Sequence, residues 1–354
     1  MNLPFPPNAP APLPLCSYPL TPSAILPLYL SPQPYPVRCS PMPTVLLINA
    51  NSKRGQEMFE AAQEALKNVG FHDLEPHAVS SLEESTAVLK AAIARGDELV
   101  VVGGGDGTLS SSAHVLAGSE TALGVLPLGT GNTFARGLEL PLDLEGAAKV
   151  LAKGEFARVD VGRVNGRIFI NSVSLGASEQ IASSLDGDLK KKLGLLAWPV
   201  AAFKALRGRR PMRLELRTDH LRLNVRTRQL LIANNSNIAS FVTAPGASLQ
   251  NGQLETLVLG SESFWSLIKA GWNLLLKRSS KSDIHSVFGP TIEVRSLGKV
   301  RPANVDGDIL TQTPLKVDIL PRALRVVVPL GSSLLTEGKM LEFALERERA
   351  DAKG

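Results

Sequence analysis

The sequence predicts an α/β layer followed by an all-β layer, and three observations carry that prediction. Apolar runs over Leu99 to Val102 and Ala122 to Pro127 each end in a glycine-rich turn and lead into a helical pattern, as βα units of a parallel sheet do. After about Gly154 the apolar residues switch to period two, the spacing of antiparallel strands. Residues 1–43 are a different material: they hold fourteen of the 25 prolines, both cysteines and all three tyrosines, with Arg38 as their single charged side chain.

Proline at that density removes backbone donors and fixes φ, so 1–43 is expected to be disordered. The segment lacks the charged start and unbroken apolar core of a secretory signal. An over-extended start, with Met42 as the true one, is the expectation, ahead of a proline-rich partner ligand. From Thr44 the elements follow in order. Thr44 to Ile48 is a short strand; Gly55 to Val69 carries Met58, Phe59, Ala62, Leu66 and Val69 near helical spacing and stops at Gly70. Ser81-Leu82-Glu83-Glu84 has the spacing of a capping box and opens a helix running to Ala94. Arg158 to Val164, Asn165-Gly166 and Arg167 to Val173 read as a tight hairpin, and Leu214, Leu216, Leu221, Leu223 and Val225 alternate with polar residues. The expected division is 1–43, an α/β part over 44–154, a β-sandwich over 155–330, and a final segment over 331–354 that could pack on the first part.

Chemistry concentrates in the two turns. The first is Gly103-Gly104-Gly105-Asp106-Gly107-Thr108 and the second is Gly129-Thr130-Gly131-Asn132, inside Leu126 to Arg136. Glycine lets backbone N–H groups approach an anion, and the following helix adds its partial positive charge, so the first turn suits phosphates. The carboxylate of Asp106 would repel them unless a divalent cation stood between, which implies magnesium. A tight βα connection would account for the glycines without any ligand.

These residues resemble the diacylglycerol-kinase-type catalytic domain of diacylglycerol, sphingosine and related bacterial lipid kinases. A single G-G-D-G-T also occurs in NAD kinases and in similar form in phosphofructokinases. Leu126-Pro127-Leu128-Gly129-Thr130-Gly131-Asn132 with Phe134-Ala135-Arg136, about twenty residues on, resembles the lipid-kinase branch. The likeness runs from about Pro43 to Leu330. It includes Val45 to Ser52, where Ala50 stands in place of a usual proline, Val159-Asp160-Val161-Gly162, Phe169-Ile170-Asn171-Ser172, Leu189 to Gly194, and Val305-Asp306-Gly307-Asp308 in the place of D-G-E.

The resemblance implies a Rossmann-like, NAD kinase- and phosphofructokinase-like α/β domain followed by a β-sandwich, with the site in the cleft between them. It implies an ATP-dependent lipid kinase that uses Mg2+. Gly103, Gly104, Gly105, Asp106, Gly107 and Thr108 then bind the ATP phosphates, Asp106 faces the metal, and Gly129, Thr130 and Asn132 complete the pocket. Asn49 and Ser52 border it. Ser81 or Ser80 matches a nucleotide-touching threonine or else caps its helix. Asp308 is the implied general base, one methylene shorter than the usual glutamate. Other departures are Ser110-Ser111 for Asn-Glu, Thr133 for aspartate, and Asn251 for the aspartate of a turn that often holds a structural magnesium. A kinase of a soluble hydroxyl compound and a non-catalytic lipid- or nucleotide-binding relative are the competing functions.

Composition bounds the partners. The 354 residues are 44% hydrophobic, enough for two cores, and a net charge of +5 without a basic, aromatic-interleaved block gives no reason to expect nucleic acid. Apolar runs such as Leu193 to Phe203 and Trp272 to Leu276 are too short to span a bilayer. A soluble, cytoplasmic chain that meets its lipid at the membrane surface is expected, with a homodimer left open. Phe264, Trp265, Leu267, Ile268 and Trp272 near Lys269, Lys277, Arg278 and Lys281 fit either an interfacial helix or an ordinary core-facing one. Lys190-Lys191-Lys192 with Lys204, Arg207, Arg209 and Arg210 suits anionic headgroups or a solvated face, and the five histidines have no ligand spacing.

Overall fold

The computed structural model describes residues 43–50, 55–176, 211–239, 242–244, 246–259 and 284–335. Their first part alternates strand and helix: β1 (Thr44–Asn49), α1 (Gly55–Asn68), β2 (Leu74–Val79), α2 (Leu82–Arg95), β3 (Leu99–Gly104), α3 (Asp106–Leu116), β4 (Ala122–Pro127), α4 (Thr133–Gly137) and α5 (Leu144–Lys153). The four strands pair in parallel in the order β2-β1-β3-β4. Every residue of β3 and β4 is buried, because helices cover both faces. On one face α2, α3 and α4 supply Leu89, Leu109, Leu116 and Phe134 to the core; on the other α1 and α5 supply Leu66 and Leu151. The α2 helix begins where the sequence predicts, with the Ser81 hydroxyl accepting from Glu84 N at 3.1 Å.

Two elements are less legible in the sequence. Strand β2, Leu-Glu-Pro-His-Ala-Val, lies at the sheet edge and is only partly buried, so it carries neither alternation nor an apolar run, and Pro76 speaks against a strand except at such an edge. Helix α5 is marked by Asp143, whose carboxylate accepts from Gly146 N at 2.7 Å.

The second part is β5 (Glu155–Val164), β6 (Arg167–Phe169), β7 (Ser172–Gly176), β8 (Met212–Arg217), β9 (Arg222–Thr227), β10 (Gln229–Ala233), β11 (Asn237–Ala239), β12 (Val242–Thr243), β13 (Leu254–Leu259), β14 (Ile284–Gly289), β15 (Thr291–Ser296), β16 (Pro302–Val305), β17 (Asp308–Gln312) and β18 (Leu315–Val328). A six-stranded antiparallel sheet, β14-β13-β10-β7-β16-β17, faces β18, β15, β8 and β9 of the first sheet. Phe169, Val173, Leu214, Leu230, Ile292 and Val317 fill the space between them. This is the expected sandwich, with one refinement. Its second wall is continuous with the α/β sheet, because β18 pairs β15 at one end, pairs β4 in parallel at the other, and follows β5 along almost its whole length.

The predicted hairpin at Asn165-Gly166 forms, with φ of 47° and 87° at the two turn residues. Its second strand does not stay in one sheet as the sequence suggested. Arg167–Phe169 pairs with β5, but after Asn171 the chain crosses to the other sheet as β7. The crossing is fixed by a carboxylate from the turn between β16 and β17, described with the site below. A second carboxylate, that of Asp160, pins the long β5–β18 ladder where its register shifts. It accepts from Arg322 N and from Gly252 N, both at 2.8 Å, and Arg322 takes a left-handed φ of 52°. Asp160 is 1% exposed, and burial pushes its carboxyl above the ordinary aspartate range against the pull of those two N–H groups.

Two outcomes follow from this packing. Phe169 is fully buried with its ring against Gly162, where an added Cβ would stand 2.0 Å from it; Phe169→Ala should cost about 3–5 kcal/mol, read as a lowered urea midpoint. For Asp160 the folded state holds its proton more tightly than the unfolded one, so raising the pH from about 4 through the raised value removes stability. The wild-type midpoint should therefore fall relative to Asp160→Asn across that window and run parallel to it above; a constant difference at all pH values would contradict this.

Candidate active site

The strand order β2-β1-β3-β4 reverses direction between β1 and β3, and in open α/β sheets ligands bind at the carboxyl ends of strands flanking such a point. Asn49 closes β1 and Gly103-Gly104 close β3. The Asn49 side-chain amide reaches across to Thr108 Oγ1 at 3.3 Å. Helix α3 starts behind Gly105 with no side-chain cap. The N–H groups of Asp106, Gly107 and Thr108 belong to its first turn, where no intrahelical acceptor exists. A Cβ on Gly107 would meet nothing within 4 Å, so the space before these donors is open. A Cβ on Gly104 would strike the Thr108 side chain at 2.6 Å, which explains the need for glycine inside the turn.

The second turn lies directly against the first. A Cβ on Gly129 would stand 2.5 Å from the Cα of Gly105, so the two backbones touch only because Gly129 has no side chain. Asn132 holds the second turn in shape: its Oδ1 accepts from Gly129 N at 2.9 Å, its Nδ2 donates to Pro127 O at 3.3 Å, and its own φ is left-handed at 47°. Thr130 stands exposed between them.

Asp106 bridges the turns. Its Oδ2 accepts from Thr133 N at 3.1 Å and its Oδ1 from Phe134 N at 3.0 Å, so its carboxylate caps α4 from the neighbouring strand's turn. This gives Thr133, where the family has aspartate, a place through its backbone. Asn171 Nδ2 adds a third donor to Asp106 Oδ1 at 3.3 Å. With roughly four lone-pair directions and three donors, the carboxylate keeps acceptor capacity toward the open side.

Asn171 connects this cluster to the β-sandwich. Its Oδ1 accepts from the fully buried Asn235 at 2.9 Å, and Asn235 also donates to Thr133 O at 3.2 Å. The carboxylate of Asp306 collects the successive amides of Ile170, Asn171 and Ser172 at 2.8, 2.9 and 2.9 Å, and the Ser110 hydroxyl of α3 at 2.6 Å. Burial pushes the Asp306 carboxyl up; the four donors oppose that. Asp306-Gly307 form the two-residue turn between β16 and β17, and Asp308 follows at the start of β17, exposed.

The sequence-predicted residues Asn49, Gly103 to Thr108, Gly129, Thr130 and Asn132 are thus brought together. The strand carrying Asp308 is tied to them through Asp306. The Ser81 hydroxyl is used as a helix cap, and Ser52 lies outside the described residues, as do Lys190 to Arg210 and Phe264 to Lys281. Ser110, where the family often has asparagine, holds Asp306. Asn171, Asn235 and Asp306 were not singled out for a role from sequence; Asn234-Asn235 directly after the apolar run of β10 is the signal that points to buried amides.

No group of three or more His, Cys, Asp or Glu side chains suited to a metal occurs among the described residues. Magnesium is commonly held by one or two carboxylates plus substrate phosphates, and Asp106 beside open helix N–H groups fits that mode. The turn at Asn251 does not fit a second ion. The Asn251 amide donates to Gly246 O at 3.1 Å and accepts from Gln253 N at 3.0 Å, closing the loop with a neutral group.

Comparison with known proteins identifies the family. The profile of the diacylglycerol kinase catalytic domain matches residues 43–164, and that of the YegS C-terminal NAD kinase beta sandwich-like domain matches 171–328. A diacylglycerol kinase of Bacillus subtilis (strain 168) is 27% identical over 288 residues, covering 79% of this chain and 94% of that protein. A Pseudomonas aeruginosa PAO1 protein named "Probable lipid kinase YegS-like" is 30% identical over 301 residues, covering 83% and 97%. A crystal structure of a diacylglycerol kinase from Bacillus anthracis str. Sterne shares the fold with a TM-score of 0.64 at 21% identity, covering 82% of this chain and 98% of that one. No helix among the described residues is long and apolar enough to cross a membrane. The two matched profiles and the relative aligned over nearly its whole length place the chain in the diacylglycerol kinase family of lipid kinases, phosphotransferases with an alcohol group as acceptor.

Proposed function

We propose that this chain transfers the γ-phosphoryl group of ATP to a hydroxyl of a diacylglycerol-like membrane lipid. The observation that supports it most is the backbone contact of Gly105 with Gly129, with Asp106 between the turns and wired through Asn171 to the strand that bears Asp308. The first-turn amides of α3 and the glycines of both turns hold the phosphates, and Asn49, Thr108, Thr130 and Asn132 line the pocket. Asp106 holds Mg2+, which when bound offsets the negative charge of the transferring phosphoryl group.

Phosphoryl transfer asks little covalent chemistry of a protein. Its residues position donor and acceptor and take one proton. Asp308, exposed at the start of β17, accepts the proton of the lipid hydroxyl as that oxygen bonds to the γ-phosphorus and ADP leaves. Asp306, engaged with four donors, is unsuited to that task and serves to place the turn.

A labelled-ATP assay on a panel of lipids in mixed micelles tests the reading; binding of ATP with no labelled product from any lipid would refute it. Asp308→Asn should lower kcat by about 10²–10⁴-fold with KM for ATP little changed, and Asp308→Glu should retain turnover. In Gly129→Ala the added carbon forces the turns apart, so KM for ATP should rise about tenfold or more while the far-ultraviolet circular dichroism stays native.

A further inference from the structure

Eight large hydrophobic side chains stay exposed among the described residues, and four of them fall within one short stretch: Leu297, Val300, Ile309 and Leu310, between 44% and 57% exposed. The fold gathers them along one edge. Strand β17 is the outermost strand of the six-stranded sheet. Its last residue, Gln312, lies opposite Pro302, and Arg301 N donates to Thr313 Oγ1 at 3.0 Å, which brings the 297–300 loop beside the end of β17. The register shift between Ala303 and Asn304 leaves Leu310 as an extra residue, so two successive aliphatic side chains face solvent where strict alternation would bury one.

Charge in the 297–305 stretch has one sign, while Asp308 adjoins Ile309 on β17 and Glu293 lies opposite Lys316. Lys299 is exposed in the loop, and no acidic residue occurs from Leu297 to Val305. Lys316 is exposed nearby: its amide is held by Asn165 Oδ1 at 2.9 Å, and the same side chain donates to Thr311 of β17 at 3.0 Å. Asp308 stands at the other end, about 13 Å along the strand from Gln312. Clustered exposed apolar groups with cations beside them mark a partner, since scattered ones are ordinary.

We infer that this edge is the membrane-docking surface of the enzyme: Leu297, Val300, Ile309 and Leu310 enter the headgroup–acyl boundary of an anionic phospholipid bilayer, and Lys299 and Lys316 meet its headgroups. The inference rests on the lipid-acceptor reading above for one consequence, that docking holds Asp308 at the level of the lipid hydroxyls. A second copy of the chain is the competing occupant of an open sheet edge. The bulge at Leu310 opposes it, because it disrupts the regular backbone ladder that edge-to-edge pairing needs.

Flotation of the full chain with vesicles of phosphatidylcholine, with and without phosphatidylglycerol, tests this together with sedimentation velocity and turnover of a water-dispersed short-chain diacylglycerol. The wild type should float with the anionic vesicles. Ile309→Ser/Leu310→Ser and, separately, Leu297→Ser/Val300→Ser should each lower the partition coefficient about tenfold or more with short-chain turnover retained. Flotation of both double variants like the wild type would overturn the inference. So would unchanged flotation accompanied by loss of a wild-type dimer, which would make the edge a contact between copies. Absence of short-chain turnover in every protein, wild type included, would count against the kinase reading alone and leave the flotation result to decide this one.

Discussion

The Asp306 carboxylate is the joint on which the site depends. Three successive amides and a hydroxyl converge on it from two other parts of the fold, β6–β7 and α3. Each charge-assisted hydrogen bond is stronger than a neutral one, and together they fix where the chain changes sheets and where the β16–β17 turn sits. Without them Asn171 would lose its hold on Asp106, and Asp106 in turn caps the helix behind the second glycine turn. The two glycine turns and the strand carrying Asp308 are therefore parts of one hydrogen-bonded network, and their relative placement is set by the fold itself.

Within that network two kinds of constraint act. Steric closeness is supplied by absence: Gly129 lacks the carbon that would strike Gly105 and separate the turns. Polarity is supplied by buried amides, Asn132, Asn171 and Asn235, which satisfy backbone and carboxylate groups without adding charge beside Asp106. Neutral donors suit such a place, since a further carboxylate would repel Asp106 and a buried cation would need its own counter-charge.

Much of this was legible in the sequence for physical reasons. The glycine turns announce themselves because β3 and β4 are buried on both faces and read as unbroken apolar runs, so their ends are sharp. Asn165-Gly166 betrays its turn because few residue pairs accept two positive φ values. The long-range pairings were not readable. That Asp306 would seize the amides of Ile170 to Ser172, more than 130 residues away, depends on three-dimensional register that no local pattern records. The same holds for Ser110, which looked like a loss beside the family pattern and proves to hold that carboxylate. Strand β2 stayed hidden because an edge strand needs little apolar character, and the split of the predicted hairpin into β6 and β7 hinges on one distant acid.

The shared ladder of β5 and β18 bears on how such an architecture was assembled. The chain departs from the parallel sheet at Gly154 and rejoins it at Val328, and these two points lie so close that an added Cβ on Gly154 would stand 2.3 Å from the Val328 carbonyl oxygen. In topology, the sandwich leaves and re-enters the α/β core through a single doorway. Grafting at one spot leaves the host's strand order undisturbed, but any sandwich exchanged there would still have to supply the partners that Asn171, Asn235 and Asp306 offer to Asp106, Thr133 and Ser110.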